Sequence, residues 1–150
     1  MKKKLLFVCT GNTCRSPLAK VLTAATLAKA NISAWIVDSA GLSALPGQSA
    51  SGDALAVSGD FGLDLSLHQS KPLSEKLLVE ADLVLVMTRN HKQALLAGMP
   101  QHAGKVHTLK EFVDDSGDVA DPFGGGLEEY RQAAQELERL IARLVEKMKE

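Results

Sequence analysis

The stretch "KLLFVCTGNTCRSP", residues 4–17, decides the fold, because a strand-like run passes through a short polar turn into a helical pattern. Residues 4–8 show no polar alternation, which is typical of a strand covered on both faces. Pro17 suits a first helical turn. After it, apolar residues recur at helical spacing, at Leu18, Val21, Leu22, Ala25 and Ala28. The stretch predicts a strand, a tight loop and a helix, with both cysteines of the chain in the loop.

The rest of the chain continues this alternation of strands and helices. Further strands are predicted at residues 32–41, 80–88 and 105–109, and further helices at residues 51–61, 89–98 and from 127 onward. Residues 111–126, the acidic segment, are rich in Asp and Gly and predict a long loop. The pattern predicts one α/β domain over residues 1–150, a three-layer sandwich around a four-stranded parallel sheet. Ligands bind such sheets at the carboxyl ends of the strands, where the 9–16 loop begins.

The charge balance, the apolar runs and the cysteines of the sequence limit the classes of protein to which the chain can belong. The 150 residues carry 17 basic and 18 acidic side chains, for a net charge of −1, which argues against a nucleic-acid or membrane-surface partner. No apolar run is long enough to span a membrane, and the N-terminal one is too short for a signal peptide. We therefore expect a cytoplasmic protein with reduced cysteines. We expect a monomer, although the sequence leaves the oligomeric state undetermined.

The 9–16 loop has the features of a site for one phosphate group. Backbone amides and the positive end of the helix dipole converge between a strand end and a helix start. Gly11 allows close backbone approach, and Asn12 tolerates the left-handed conformation that turns successive amides inward. The pattern G-x-x-x-x-G-K-[ST], which binds a chain of phosphates, is absent from the sequence.

Cys9 lies at the base of this predicted anion site. A thiol at a helix N-terminus and beside a cation ionises readily, so Cys9 is a candidate nucleophile. Arg15 can bind two phosphate oxygens with its planar guanidinium. Ser16 can donate a hydrogen bond to the thiolate when it departs. Residues that complete the predicted phosphate site are Thr10, Gly11, Asn12, Thr13 and Cys14.

The reaction also needs a group that gives a proton to the leaving group. The acidic segment offers four aspartates as candidates, Asp114, Asp115, Asp118 and Asp121. We favour Asp121, because Pro122 stiffens the backbone after it and Phe123 offers an apolar wall for a substrate side chain. No metal or cofactor is expected, since none of the four histidines has ligand spacing with the cysteines.

Four motifs in order, "VCTGNTCRSP", "DSAG", "GLDLSLH" and "ADPFGG", resemble the low-molecular-weight protein tyrosine phosphatase family along essentially the whole chain. The resemblance implies a flavodoxin-like sheet, a phosphocysteine intermediate and no metal. It assigns Cys9, Arg15, Ser16 and Asp121 the roles given above. From the residues alone, Ser39 is a strand-end cap and His68 a surface or core histidine. The resemblance implies instead that Asn12, Ser39 and His68 form a hydrogen-bonded support beneath the loop.

Two departures from the family pattern concern the substrate. Members that prefer phosphotyrosine usually carry a bulky aliphatic residue where this chain has Thr13, and two adjacent aromatics where it has Phe123 and Gly124. With "HQSKPL" and "DPFGG", these residues resemble the bacterial protein-arginine phosphatase branch. The implied substrate is phosphoarginine on proteins, because a threonine hydroxyl suits a polar guanidinium better than a flat phenol. The alternative is a phosphatase acting on phosphotyrosine.

Other classes are weaker alternatives. Arsenate reduction needs further cysteines to resolve the intermediate, and none follows Cys14. A non-catalytic phosphoprotein-binding module would not need Asp121. A redox sensor would pair Cys9 with Cys14, and such a disulfide is equally compatible with an enzyme that protects its nucleophile from over-oxidation.

Overall fold

A four-stranded parallel sheet forms the centre of the molecule in the computed structural model, which describes residues 2–149. Its strands are β1 (Lys3–Cys9), β2 (Trp35–Gly41), β3 (Leu83–Val86) and β4 (Val106–Thr108). They lie in the order β2-β1-β3-β4, and all three pairings are parallel. In this register, Cys9 lies opposite Gly41, and Val8 lies opposite both Ala40 and Val86.

Helices cover both faces of this sheet. They are α1 (Arg15–Lys29), α2 (Gly52–Asp60), α3 (Glu75–Glu80), α4 (Arg89–Gly98), α5 (Leu109–Phe112) and α6 (Leu127–Met148), with a 3₁₀ helix at Pro100–Lys105. Side chains of α1, α2 and α6 share one hydrophobic core with the sheet, whereas those of α3 and α4 share the other. The predicted three-layer α/β sandwich with a four-stranded parallel sheet is confirmed.

The uniform apolar character of β1 follows from these two cores. Leu5 and Phe7 face the core beneath α1 and α6, while Leu6 and Val8 face the core beneath α3 and α4. All four side chains are fully or almost fully buried. Burying such a side chain contributes about 1.5–3 kcal/mol, so β1 is anchored from both sides. The carboxyl end of β1 is therefore a rigid base for the residues that follow it.

The longest helix, α6, buries one stripe against α1 and α2. The buried residues of α6 are Tyr130, Ala133, Ala134, Leu137, Leu140, Ile141, Leu144 and Val145. They recur at steps of three and four, as the sequence pattern predicts for a helix packed on a core.

Two short α-helices were not predicted, and neither was the 3₁₀ helix at Pro100–Lys105. Glu75–Glu80 forms α3, which is capped by Ser74 and buries Leu78, a segment too short for a clear helical period. The first two residues of the acidic segment belong to α5, because Thr108 and Glu111 form a reciprocal capping box that starts a helical turn. The expectation that the whole acidic segment is loop is therefore wrong at its start.

The two terminal residues of the predicted domain, Met1 and Glu150, lie outside the described residues. Within residues 2–149, no helix combines the length and the apolar character that a membrane span requires.

Candidate active site

The 9–16 loop connects the carboxyl end of β1 to the first turn of α1, since β1 ends at Cys9 and α1 begins at Arg15. At this point the chain order of the sheet switches, because β2 lies on one side of β1 and β3 on the other. The loops that follow β1 and β3 lead to α1 and α4 on opposite faces of the sheet, so they diverge and leave a crevice above Cys9.

The loop adopts the predicted inward-facing conformation. Asn12 has a φ of +57°, in the left-handed region that reverses the direction of the backbone amides. The loop carbonyls face outward instead, where Cys9 O accepts from Leu42 N at 2.9 Å and Thr10 O accepts from Ser43 N at 2.9 Å. On the far side, Thr13 O accepts from Ser51 N at 3.0 Å. With these carbonyls held by neighbouring segments, loop amides remain available for an anion.

Cys9 is buried with its sulfur facing two hydrogen-bond donors. The Asn12 backbone N–H donates to Cys9 Sγ at 3.3 Å, and the Ser16 hydroxyl lies 2.9 Å from the same sulfur. Ser16 Oγ accepts from Asn12 Nδ2 at 2.9 Å, and its own proton has two acceptors within reach, Cys9 Sγ at 2.9 Å and the more distant Ala40 O at 3.5 Å. Both contacts bring a group with a hydrogen-bonding proton to the sulfur of the candidate nucleophile.

Asn12, Ser39 and His68 form a connected support beneath the loop. Asn12 Nδ2 donates to Ser39 Oγ at 2.9 Å as well as to Ser16, so both of its protons are used. Asn12 Oδ1 accepts from Lys71 N at 3.0 Å, and Asn12 O lies 2.7 Å from His68 Nε2. Burial lowers the pKa of His68, although the hydrogen bond to Asn12 acts in the opposite direction. A neutral ring that donates from Nε2 fits this carbonyl.

Arg15 borders a cavity of about 250 Å³ above the loop. The cavity is lined by Cys9, Thr10, Gly11, Thr13, Cys14, Arg15, Asp121 and Phe123. Arg15 is 5% exposed, and its guanidinium donates to Val119 O at 3.0 Å and lies 3.6 Å from Asp121 Oδ2. The acidic segment thus holds the guanidinium at the edge of the cavity.

Only one of the four candidate acids lines this cavity. Asp121 Oδ1 accepts from Phe123 N at 3.0 Å, which holds the carboxyl group at the rim. The other carboxyl groups are engaged elsewhere: Asp114 with Lys147, Asp115 with Arg139 and Arg143, and Asp118 with Arg89. Phe123 is 76% exposed, so its ring forms an outer wall rather than part of the core.

Cys14 and Cys9 are both buried free thiols. Cys14 Sγ accepts from the Tyr130 hydroxyl at 3.5 Å, and Tyr130 in turn accepts from Ser51 Oγ at 3.3 Å. Burial raises the pKa of Tyr130 to about 12, which keeps its hydroxyl a donor. These contacts fix the wall of the cavity to α6.

A larger groove of about 440 Å³ lies between α1 and β2, but its lining contains no titratable side chain. Within residues 2–149, no cluster of three or more His, Cys, Asp or Glu side chains is placed to hold a metal ion.

Sequence reasoning did not identify His91, whose Nε2 lies 2.9 Å from Thr10 Oγ1. His91 lies in the first turn of α4, which directly follows β3. Because β3 pairs with β1, residues that follow both strands meet at the same edge of the sheet. The segment "MTRNHK" therefore contained the indication that His91 lies near the site. A single histidine after a strand does not indicate such a position until the order of the strands is known.

The chain is similar to known proteins along almost its whole length. The family model described as low molecular weight phosphotyrosine protein phosphatase matches residues 4–150. A protein-arginine-phosphatase from Geobacillus stearothermophilus is 44% identical over 99% of this chain and 97% of its own length. A low molecular weight protein tyrosine phosphatase from T. tengcongensis is 46% identical, with a TM-score of 0.92 over 97% of this chain and 99% of that one. A cysteine-to-serine mutant of the YwlE arginine phosphatase, solved with its active-site serine phosphorylated, is 40% identical, with a TM-score of 0.95 over 98% of this chain and 96% of that one.

Proposed function

The chain belongs to the low molecular weight phosphotyrosine protein phosphatase family, and from that premise we propose that it hydrolyses phosphoarginine on proteins through a phosphocysteine intermediate. The observation that carries the choice of substrate is Thr13, a polar residue in the wall of the cavity above Cys9. The similarity to a relative named protein-arginine-phosphatase agrees with it.

The first chemical step is attack of the Cys9 thiolate on phosphorus. The new S–P bond forms as the P–N bond to the arginine side chain breaks, and the electron pair of that bond stays on nitrogen. Asp121 gives this nitrogen a proton, so that arginine leaves as a cationic guanidinium. The carboxylate left on Asp121 also attracts the departing cation.

Arg15 binds the phosphoryl group during this transfer. Its fixed position beside Val119 and Asp121 presents two N–H groups to the equatorial oxygens, and the loop amides bind the remaining charge. Because these donors are in place before the substrate arrives, little reorganisation accompanies the reaction.

The second step releases inorganic phosphate. Asp121, now a carboxylate, takes a proton from water as the water oxygen attacks phosphorus, and the S–P bond breaks to return the Cys9 thiolate. Ser16 lies 2.9 Å from the sulfur and donates to the thiolate as it departs. The solved relative with a phosphorylated active-site serine supports a covalent phosphoenzyme at this position of the fold.

Specificity depends on the two walls of the cavity. A phenol ring needs apolar faces on both sides, whereas a guanidinium is planar, polar and forms hydrogen bonds. Thr13 offers a hydroxyl on one side, and Phe123, followed by glycine, leaves a single aromatic ring on the other. Differences of this kind contribute about 1–3 kcal/mol, which makes phosphoarginine preferred over phosphotyrosine without excluding the latter.

The second candidate function is hydrolysis of phosphotyrosine on proteins. A specific observation favours it: the structure from T. tengcongensis, a protein named as a tyrosine phosphatase, is 46% identical to this chain. In both cases the partners are phosphorylated proteins.

We also propose that the protein acts as a monomer in the cytoplasm, where the two buried thiols, Cys9 and Cys14, stay reduced.

The deciding experiment compares kcat/KM for a phosphoarginine peptide and a phosphotyrosine peptide of the same sequence context. We expect the wild-type protein to prefer phosphoarginine. The Thr13→Ile variant should shift the ratio of the two kcat/KM values toward phosphotyrosine by about tenfold to a hundredfold, because it replaces the hydroxyl by an aliphatic wall.

A matched control is Thr26→Ile, which makes the same substitution on α1, where the Thr26 hydroxyl donates to the carbonyl of Leu22 at 2.7 Å. This variant should leave the ratio unchanged. A wild-type preference for phosphotyrosine would refute the proposed substrate, and an unchanged ratio in Thr13→Ile would remove Thr13 as its determinant.

A further inference from the structure

His91 is a buried titratable side chain that has no part in the reaction described above. It is 7% exposed and lies in the first turn of α4, where its backbone N–H donates to the capping hydroxyl of Thr88 at 3.0 Å. Its ring extends to the 9–16 loop, with Nε2 2.9 Å from Thr10 Oγ1. The contact joins α4 directly to the residue that follows the nucleophile.

The charges around the ring favour its neutral form. Burial lowers the pKa of His91, and the positive charge of Arg15 on α1 lowers it further. Asp121 and Asp118 of the acidic segment act in the opposite direction and are outweighed. A neutral imidazole carries one proton, so only one of its two nitrogens can donate.

The burial of Nδ1 indicates which nitrogen carries that proton. Within residues 2–149, Nδ1 is buried and has no hydrogen-bond partner. An orphaned buried N–H group is rarer in proteins than an under-used acceptor, so the proton belongs on Nε2. In this tautomer His91 donates to Thr10 Oγ1, and the hydroxyl of Thr10 keeps its own proton.

Thr10 is thereby held from two directions. Its carbonyl oxygen accepts from Ser43 N at 2.9 Å, on the β2 side of the loop, and its hydroxyl oxygen accepts from His91 on the α4 side. Thr10 is otherwise exposed and lines the cavity, so few apolar contacts restrain it.

We propose that His91 is a positioning residue, which fixes the Thr10 end of the 9–16 loop so that the loop amides hold the phosphoryl group. The inference rests on the phosphatase reaction of the proposed function, and not on the choice between arginine and tyrosine as the leaving group.

The test is a double-mutant cycle in which phosphate affinity reports on the position of the 9–16 loop. The variants His91→Leu, Thr10→Val and the combination of both are compared for the Kd of inorganic phosphate and for kcat/KM with an aryl phosphate. Each single variant should weaken phosphate binding about tenfold, the effect of losing one hydrogen bond. The double variant should bind no more weakly than the weaker single variant, because both changes remove the same bond.

A variant that restores the side-chain N–H at the right place distinguishes positioning of the loop from simple support of the fold. Gln places its side-chain N–H near the position of Nε2, whereas Asn places it near Nδ1. His91→Gln should therefore keep phosphate affinity within about threefold of wild type, and His91→Asn should lose about tenfold. Because this pair retains an amide in both variants, it decides the question even if His91→Leu does not fold.

Three results would overturn the inference: a hundredfold loss in the double variant, equal phosphate affinities for the Gln and Asn variants, or wild-type affinity in His91→Leu. Phosphate binding does not depend on the leaving group. A protein that binds phosphate normally but does not hydrolyse phosphoarginine would count against the proposed substrate and not against the role of His91.

Discussion

Asn12 shows how much of the site depends on single residues. Its backbone adopts the left-handed conformation that shapes the 9–16 loop, and its amide connects Ser16 to Ser39. Few residue types combine tolerance of a positive φ with a side chain that both donates and accepts. At this scale the chemistry depends on which polar atoms lie within reach of one another. Asp121 is a second residue whose role depends on this placement.

Replacing Asp121 by Asn should lower kcat for a phosphoarginine peptide by about 10²–10⁴-fold, because an amide can neither give nor take the proton. The matched control is Asp115→Asn in the same acidic segment, whose carboxylate pairs with Arg139 and Arg143 on the surface. That variant should retain wild-type kcat. Steady-state kinetics of both variants check the prediction, and full activity in Asp121→Asn would refute the role of Asp121 as the proton donor.

At the scale of elements, the end of β2 sets the height of the 9–16 loop. Gly41 is the last residue of β2 and lies opposite Cys9 in the sheet. A Cβ atom at Gly41 would lie 2.6 Å from Thr10 O and 2.9 Å from Asn12 N, so the loop approaches β2 more closely than any side chain permits. The "DSAG" motif is thus explained by backbone packing as well as by the Ser39 hydroxyl.

The Gly41→Ala variant should displace the loop and lower kcat/KM for an aryl phosphate by at least about tenfold, because the clash falls on backbone atoms that cannot rotate away. The control is Gly59→Ala in α2, where a Cβ meets nothing within 4 Å. This change should leave kcat/KM unaltered and raise the free energy of unfolding by up to about 1 kcal/mol. Wild-type activity in Gly41→Ala would mean that the loop can shift without losing its amide geometry.

At the scale of the whole molecule, two hydrophobic cores cover the two faces of the sheet. Several titratable side chains are partly or fully buried together with the apolar ones. Burial is the leading cause of a lowered pKa at three histidines, His68, His91 and His107. These residues lie on three different segments around the sheet, so their protonation affects the stability of the fold as a whole.

Lowering the pH below about 6.5 should therefore destabilise the protein. The unfolded chain binds protons on these histidines near that pH, while the folded chain resists them because its pKa values are lower, so the free energy of unfolding falls as the pH falls. Thermal unfolding between pH 8 and 5.5 checks this, with Tm nearly constant above pH 7 and decreasing below pH 6.5.

The His107→Asn variant tests whether individual histidines contribute to this slope. His107 lies on β4 against Phe112, away from the cavity. Removing it should make the acid-side decrease of Tm shallower. A Tm that rises on acidification would contradict the assignment of neutral histidines in the folded state.

The sequence alone determined the sheet class and the chemistry of the 9–16 loop. Local pattern suffices for both, because a strand covered on two faces and a helix start bring Cys9, Asn12 and Arg15 together within eight residues. The sequence already favoured Asp121 through Pro122 and Phe123, whereas its position beside Arg15 at the rim of the cavity depends on how the acidic segment folds back, which the tertiary structure decides. The tertiary structure also decided the roles of Gly41 and His91, which approach the loop from β2 and α4 only after the order β2-β1-β3-β4 is set. The physical reason is that contacts between segments far apart in the chain are fixed by the order of strands, which no local pattern encodes.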